Sequence, residues 1–224
     1  MTEGTIRFEL MKRMLHFHGQ NQEAMQICDQ GVQDYIGARC LVQNGLFHQG
    51  LIVAAQGVEK ILKTNYRIRG GLKPFGGRQG LGHNICNIAR EIKKLERNAL
   101  DLTKYDSLFE ELEVNYQLRY PDNWEKMELN QWTYNGNNIH KVDELMLYLF
   151  DSLPVPPEVN ALTCYFGIVS THLSNPLNQH YMAHYKWLTQ NNESFAYQKQ
   201  KIHENCLKWN AVASDNSKIN TEVI

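Results

Sequence analysis

Residues 21–66 read NQEAMQICDQGVQDYIGARCLVQNGLFHQGLIVAAQGVEKILKTNY. Met25, Cys28, Val32, Tyr35, Ile36 and Val42 recur at the helical period and form one apolar stripe. Leu51, Ala54, Ala55, Val58, Ile61, Leu62 and Tyr66 form a second. Between them stands Asn44-Gly45, two residues that tolerate the left-handed conformation a helix C-cap needs. The pattern predicts helices over 21–43 and 47–66. A connection this short forces the two to lie antiparallel as an αα-hairpin.

Outward from the hairpin the helical pattern continues. Ile6, Leu10, Met11, Met14 and Leu15 predict an amphipathic helix over 4–18. Downstream, helices fit 83–97 and 102–117, and Pro121 ends the second by disfavouring helical geometry at Tyr120. Residues 123–137 are polar and Asn-rich and read as a loop. Residues 138–153 place Ile139, Val142, Leu145, Met146, Leu149 and Phe150 on one helical face. PVPPEV at 154–159 is the candidate boundary. Beyond it, helices fit 158–173, 177–190 and 192–209, and the polar tail after about residue 210 is expected to fray. The expected fold class is all-α. An antiparallel up-and-down bundle occupies 1–154, and a helical extension at 155–224 packs on it. Leu162, Tyr165, Phe166, Tyr185, Trp187 and Leu188 demand that packing, at about 25 cal/mol per Å² of apolar surface left in water.

Composition agrees with one sizeable core. The 224 residues are 42% hydrophobic, with only six prolines. Net charge is −1, which argues against a duplex-DNA binder but leaves room for a local basic site. Five cysteines, an odd number without C-x-x-C spacing, read as reduced thiols. No apolar run reaches the ~18 residues of a membrane span, and the N-terminus lacks a secretory pattern. The expected location is the cytoplasm.

The sharpest composition shift is RIRGGLKPFGGRQGLG at 67–82, with six glycines, one proline and four basic residues but no acid. It is expected to be a loop. Gly-rich backbone with Arg67, Arg69, Lys73 and Arg78 resembles a phosphate cradle in composition, although it matches no nucleotide-binding fingerprint. The competing reading is a mobile surface loop. His180 and His184 share an i,i+4 spacing but have no third ligand in view, so no metal site and no cofactor are expected.

The ordered set Tyr35, Ala38-Arg39-x-Leu41, Ala54-Ala55-x-x-Val58-Glu59-Lys60-x-x-Lys63, His83-Asn84-Ile85 and Arg119-Tyr120-Pro121-Asp122 resembles the HEPN (higher eukaryotes and prokaryotes nucleotide-binding) domain family over about residues 25–153. Gly50 and Gly57 stand where alanines are common in that family, and small residues at these positions still serve close helix packing. The resemblance implies a HEPN-type bundle whose His83 opens the third helix. It also implies a homodimer and a groove for a nucleotide, RNA or partner protein. The residues it brings forward are Arg39, Lys60, Lys63, His83, Arg119 and Tyr120, with Arg67, Arg69, Lys73 and Arg78 from the loop. The alternative for Arg39, Lys60 and Lys63 is solvation, or a Glu59–Lys63 pair one turn apart. For Arg119 it is anchoring of a turn. Ribonucleases that resemble one another in this family carry an Arg followed four to six residues later by His, which sets both on one helical face toward an RNA phosphate. Here Arg119 is followed by YPDNWEKM, and the next histidine is His140. The expectation is a non-catalytic binding module. Two alternatives stand beside it: a ribonuclease of a toxin-antitoxin or phage-defence system with an atypical site, and a pure interaction scaffold.

Overall fold

A computed structural model of the chain describes residues 3–95, 100–120, 122, 138–154 and 179–196, with backbone alone for 3–20 and 179–182. Every regular element among these residues is helical. The first helix, α1, runs Glu3–Gln43, with a kink at Asn21 (φ −122°, ψ 23°). The two helices expected over 4–18 and 21–43 therefore meet at this kink, where Asn21 leaves helical geometry. No proline separates them, so the backbone deflects at one residue and resumes.

α1 ends in a compact cap. The amide of Leu46 donates to Leu41 O (2.9 Å) and that of Gly45 to Val42 O (3.0 Å), with Gly45 at φ +80°. This is the Schellman pattern, which needs a left-handed residue where Gly45 stands. α2, Phe47–Ile68, then returns along α1. Thr64 Oγ1 donates to Ala24 O at 3.2 Å, and Lys60 pairs with Asp34. Those contacts fix the antiparallel direction. Gly57 sets the distance between the helices, because a Cβ there would lie 3.2 Å from both Gly31 O and Tyr35 N.

α2 is the central helix. It packs against α1, α3 (Ile85–Lys93), α4 (Asp106–Gln117) and α5 (Asn138–Asp151). Ala54, Ala55, Val58, Ile61 and Leu62 are fully enclosed. Burying each larger aliphatic side chain contributes about 1.5–3 kcal/mol relative to exposure. A single 3₁₀ turn, Thr103–Tyr105, leads into α4. All six apolar residues expected to face inward from α5 are buried.

α3 starts two residues later than the family resemblance implies. Asn84 takes the N-cap position and its side chain accepts from Asn87 N at 2.8 Å, so His83 lies outside the helix. The last described helix, α6 (Gln179–Thr189), lies against α1, and Leu188 and Phe195 enter the core. The Pro-rich boundary from residue 155, the loop 123–137, the helix expected at 158–173 and most of that at 192–209 lie outside the described residues. No helix among the described residues is long and apolar enough to cross a membrane.

Candidate functional site

α2 carries Glu59 and Lys63 one turn apart on a face that is covered rather than solvated. They are 6% and 5% exposed. A buried charge is tolerated when it is paired, and here Lys63 Nζ donates to Glu59 Oε1 at 2.7 Å. The same carboxylate oxygen lies 3.0 Å from Nδ1 of His83, whose ring is otherwise open to solvent. One carboxylate thus joins an ammonium of α2 to an imidazole on the segment that leads into α3.

The end of α4 completes the cluster. Tyr116 is buried, and burial pushes its phenol above the usual range, helped by the negative charge of Glu59 and opposed by Arg119. The Arg119 guanidinium sits 3.7 Å over the Tyr116 ring and 5.0 Å over Tyr120, and Nη2 donates to the Tyr120 hydroxyl at 2.9 Å. Stacking over two rings holds a guanidinium in one plane. Arginine offers five N–H donors. Arg119 Nε is buried without a hydrogen-bond partner among the described residues. Tyr120 is half exposed. The rim therefore presents an aromatic face, a fixed guanidinium and an imidazole. These are the groups that stack on a base and accept an anion.

Other expected residues have different surroundings. Arg39 is 1% exposed and forms an ion pair with Asp143, equally buried. Its Nε donates to Trp187 O at 2.7 Å, and Nη2 donates to Gln190 O. The Tyr35 hydroxyl donates to Asp143 Oδ1 at 2.7 Å and accepts from Asn192 Nδ2 at 3.0 Å. Burial pushes the Asp143 carboxyl above the usual carboxylate range, against the pull of Arg39. Arg39 thus joins α1, α5 and the end of α6 from inside the bundle. His140 also faces this network, 3.8 Å from Asp143 Oδ2. The histidine that joins the cluster containing Arg119 is His83, through Glu59 and Tyr116. Lys60 faces α1, paired with Asp34.

Three cations of the Gly-rich loop act within the fold. Arg67 donates to Gly71 O (3.1 Å) and Lys73 O (3.3 Å) and covers the Phe75 ring at 4.9 Å. Arg69 donates to Ser152 O at the end of α5 and to Asn65 Oδ1. Lys73 Nζ pairs with Glu91 at 2.6 Å. Arg78 is exposed and has no ion pair among the described residues. The start of α3, a position that favours an anion, already holds one from the chain itself, since Ile85 N donates to Glu113 Oε2 at 2.9 Å.

Of the residues singled out from the sequence, the structure thus brings together Lys63, His83, Arg119 and Tyr120, around Glu59 and Tyr116, which were not among them. The i,i+4 spacing of Glu59 and Lys63 was a visible signal. Nothing local marks Tyr116 as different from any aromatic on an amphipathic helix. Among the described residues no group of three or more His, Cys, Asp and Glu side chains could hold a metal ion. The His180 side chain lies outside them. No protein-family model, no curated protein and no solved structure matches the chain.

Proposed function

We propose that this protein is a non-catalytic, HEPN-like binding module, working as a homodimer in the cytoplasm, that takes a nucleotide or an RNA end at the rim formed by His83, Arg119 and Tyr120. One observation supports this reading above the others. Three segments far apart in sequence, 59–63, 83 and 116–120, converge on Glu59 and leave an arginine stacked beside an exposed tyrosine. A base would lie on Tyr120 and a phosphate would meet Arg119 and His83. Lys63 and Glu59 hold the histidine side of the rim in place. The ordered resemblance of residues 25–153 to the HEPN family points the same way.

Isothermal titration with mono- and dinucleotides and a short single-stranded RNA tests the proposal. Binding is expected to weaken as salt rises, because the Debye length is about 8 Å at physiological ionic strength and the rim is open. Arg119→Ala and Tyr120→Ala should each lower affinity while far-UV circular dichroism stays unchanged. If the wild type binds no nucleotide and shows no salt-sensitive RNA binding, the interaction-scaffold reading replaces this one.

A further inference from the structure

A second feature lies away from that rim, where the 3₁₀ turn Thr103–Tyr105 meets α5 and the turn at 193–194. An open groove of about 420 Å³ is lined there by Tyr105, Tyr148, Glu144, Asp151 and Glu193, with Lys104 the only cation that lines it among the described residues. The two tyrosine rings are 5.6 Å apart, centroid to centroid, and tilted by 42°. They form two walls of an incomplete aromatic corner. Its floor includes Leu147, which is fully enclosed. Tyr148 is held by its own hydroxyl, which donates to Asp101 O at 2.9 Å. Tyr105 OH lies 3.3 Å from Glu144 Oε1.

The occupant of this corner is the chain's own Lys104. Its Nζ sits 4.7 Å from the centroid of Tyr105 and 5.3 Å from that of Tyr148, and donates to Glu144 Oε1 at 2.9 Å. An ammonium over two π faces with a carboxylate beside it is the arrangement by which proteins hold alkylammonium ligands. Yet both partners of this ion pair remain more than half exposed, at 59% and 57%. Exposed pairs of this kind contribute little to stability. A long flexible side chain held that weakly can leave its place.

We propose that this groove is a binding site for an alkylammonium group, and that Lys104 is an intramolecular placeholder which the ligand displaces. The ligand is either a free quaternary amine or a lysine side chain on a partner polypeptide. Both meet the site through the same chemistry: the two rings take the cation, and Glu144 and Glu193 supply the counter-charge. A quaternary amine cannot replace the hydrogen bond to Glu144 and relies on the rings. A primary ammonium uses both.

The test uses the full chain with Lys104→Met, which keeps an aliphatic stem and removes the charge, and with Lys104→Ala, which opens the corner completely. Tetramethylammonium chloride and N-acetyl-lysine amide are titrated against both variants and the wild type, with sodium chloride as the ionic-strength control. Chemical shifts of the tyrosine ring resonances report occupancy. Removing Lys104 is expected to tighten binding about tenfold, and Tyr148→Leu added to Lys104→Ala should remove it. Tighter binding of tetramethylammonium than of the lysine amide identifies the quaternary amine as the ligand class. The reverse order identifies a lysine-bearing partner. Should neither probe bind either variant beyond the sodium control, or should binding survive Tyr148→Leu, Lys104–Glu144 is an ordinary surface ion pair and the proposal fails. The outcome is independent of nucleotide binding at the His83–Arg119–Tyr120 rim.

Discussion

Replacing Arg39 by Met probes the buried network that joins α1, α5 and the end of α6. Met keeps most of the apolar stem, so the perturbation is mainly the loss of charge and of donors. Asp143 would be left 1% exposed and without the guanidinium, while the carbonyls of Trp187 and Gln190 would lose one donor each and keep Gln43 Nε2. Removing one partner of a buried pair costs about 3–5 kcal/mol, because the remaining charge stays desolvated. For a chain of this size that corresponds to a fall of about 6–20 °C in midpoint, at about 2–4 °C per kcal/mol. The loss should also depend on pH. Burial already pushes the Asp143 carboxyl above its ordinary value of 3.8, and Arg39 is the largest influence that opposes it. Without Arg39 the folded-state value rises further above the unfolded one. A carboxyl of that kind favours the fold when protonated, and the benefit disappears as pH rises through the folded-state value. Urea melts followed at 222 nm should therefore show a larger deficit at pH 8 than at pH 5. Arg39→Met combined with Asp143→Leu should recover most of the stability, since an apolar pair leaves no buried charge. If Arg39→Met alone stays within about 1 kcal/mol of wild type at pH 8, water reaches the pair and the reasoning is refuted.

Three further outcomes are expected. Gly57→Leu should destabilise by about 1–3 kcal/mol despite leucine's better helix propensity, because the backbone of α1 stands 3.2 Å from the first added carbon; equal stability in a thermal melt would mean that α1 and α2 separate freely. Lys73→Ala should raise the Glu91 carboxyl from its depressed value, which an NMR titration reads directly; the pair helps the fold above the ordinary value of 4.5 and stops helping as pH falls through the folded-state value, and an unmoved titration would place Lys73 elsewhere. Purified protein should leave single-stranded RNA and tRNA intact, and metal-independent cleavage lost in His83→Ala or Arg119→Ala would show that these residues act together as a ribonuclease.

What the sequence revealed depended on the range of the interaction. The α1–α2 hairpin was legible because its causes are local: an apolar period, a small-residue face and Asn44-Gly45 at the turn. The Glu59–Lys63 pair was legible for the same reason, being four residues apart on one helix. Arg39 was not. In Ala38-Arg39-x-Leu41 an arginine looks like a surface residue, and the carboxylate that permits its burial lies 104 residues downstream. His83 was expected to open a helix, but Asn84 is the better cap and leaves the imidazole free to reach Glu59. The Gly-rich loop misled in another way. Its own sixteen residues contain no acid, so its cations appeared to need an outside anion. Glu91 of α3 and backbone carbonyls meet three of them instead.

The span of the Arg39 contacts has a consequence for how the chain is made. Arg39 leaves the ribosome early, together with the hairpin partner that packs against it. Asp143 follows 104 residues later, and the carbonyl of Trp187 148 residues later. At about 5–20 residues per second, the second interval lasts about 7–30 seconds. During that time the nascent hairpin must keep a guanidinium hydrated at a position the finished fold seals from water. Its inner face can close completely only after α6 emerges. The N-terminal half of the protein therefore waits on the C-terminal half, and synthesis that stalls before Gln190 leaves a bundle with a wet seam between α1 and α5.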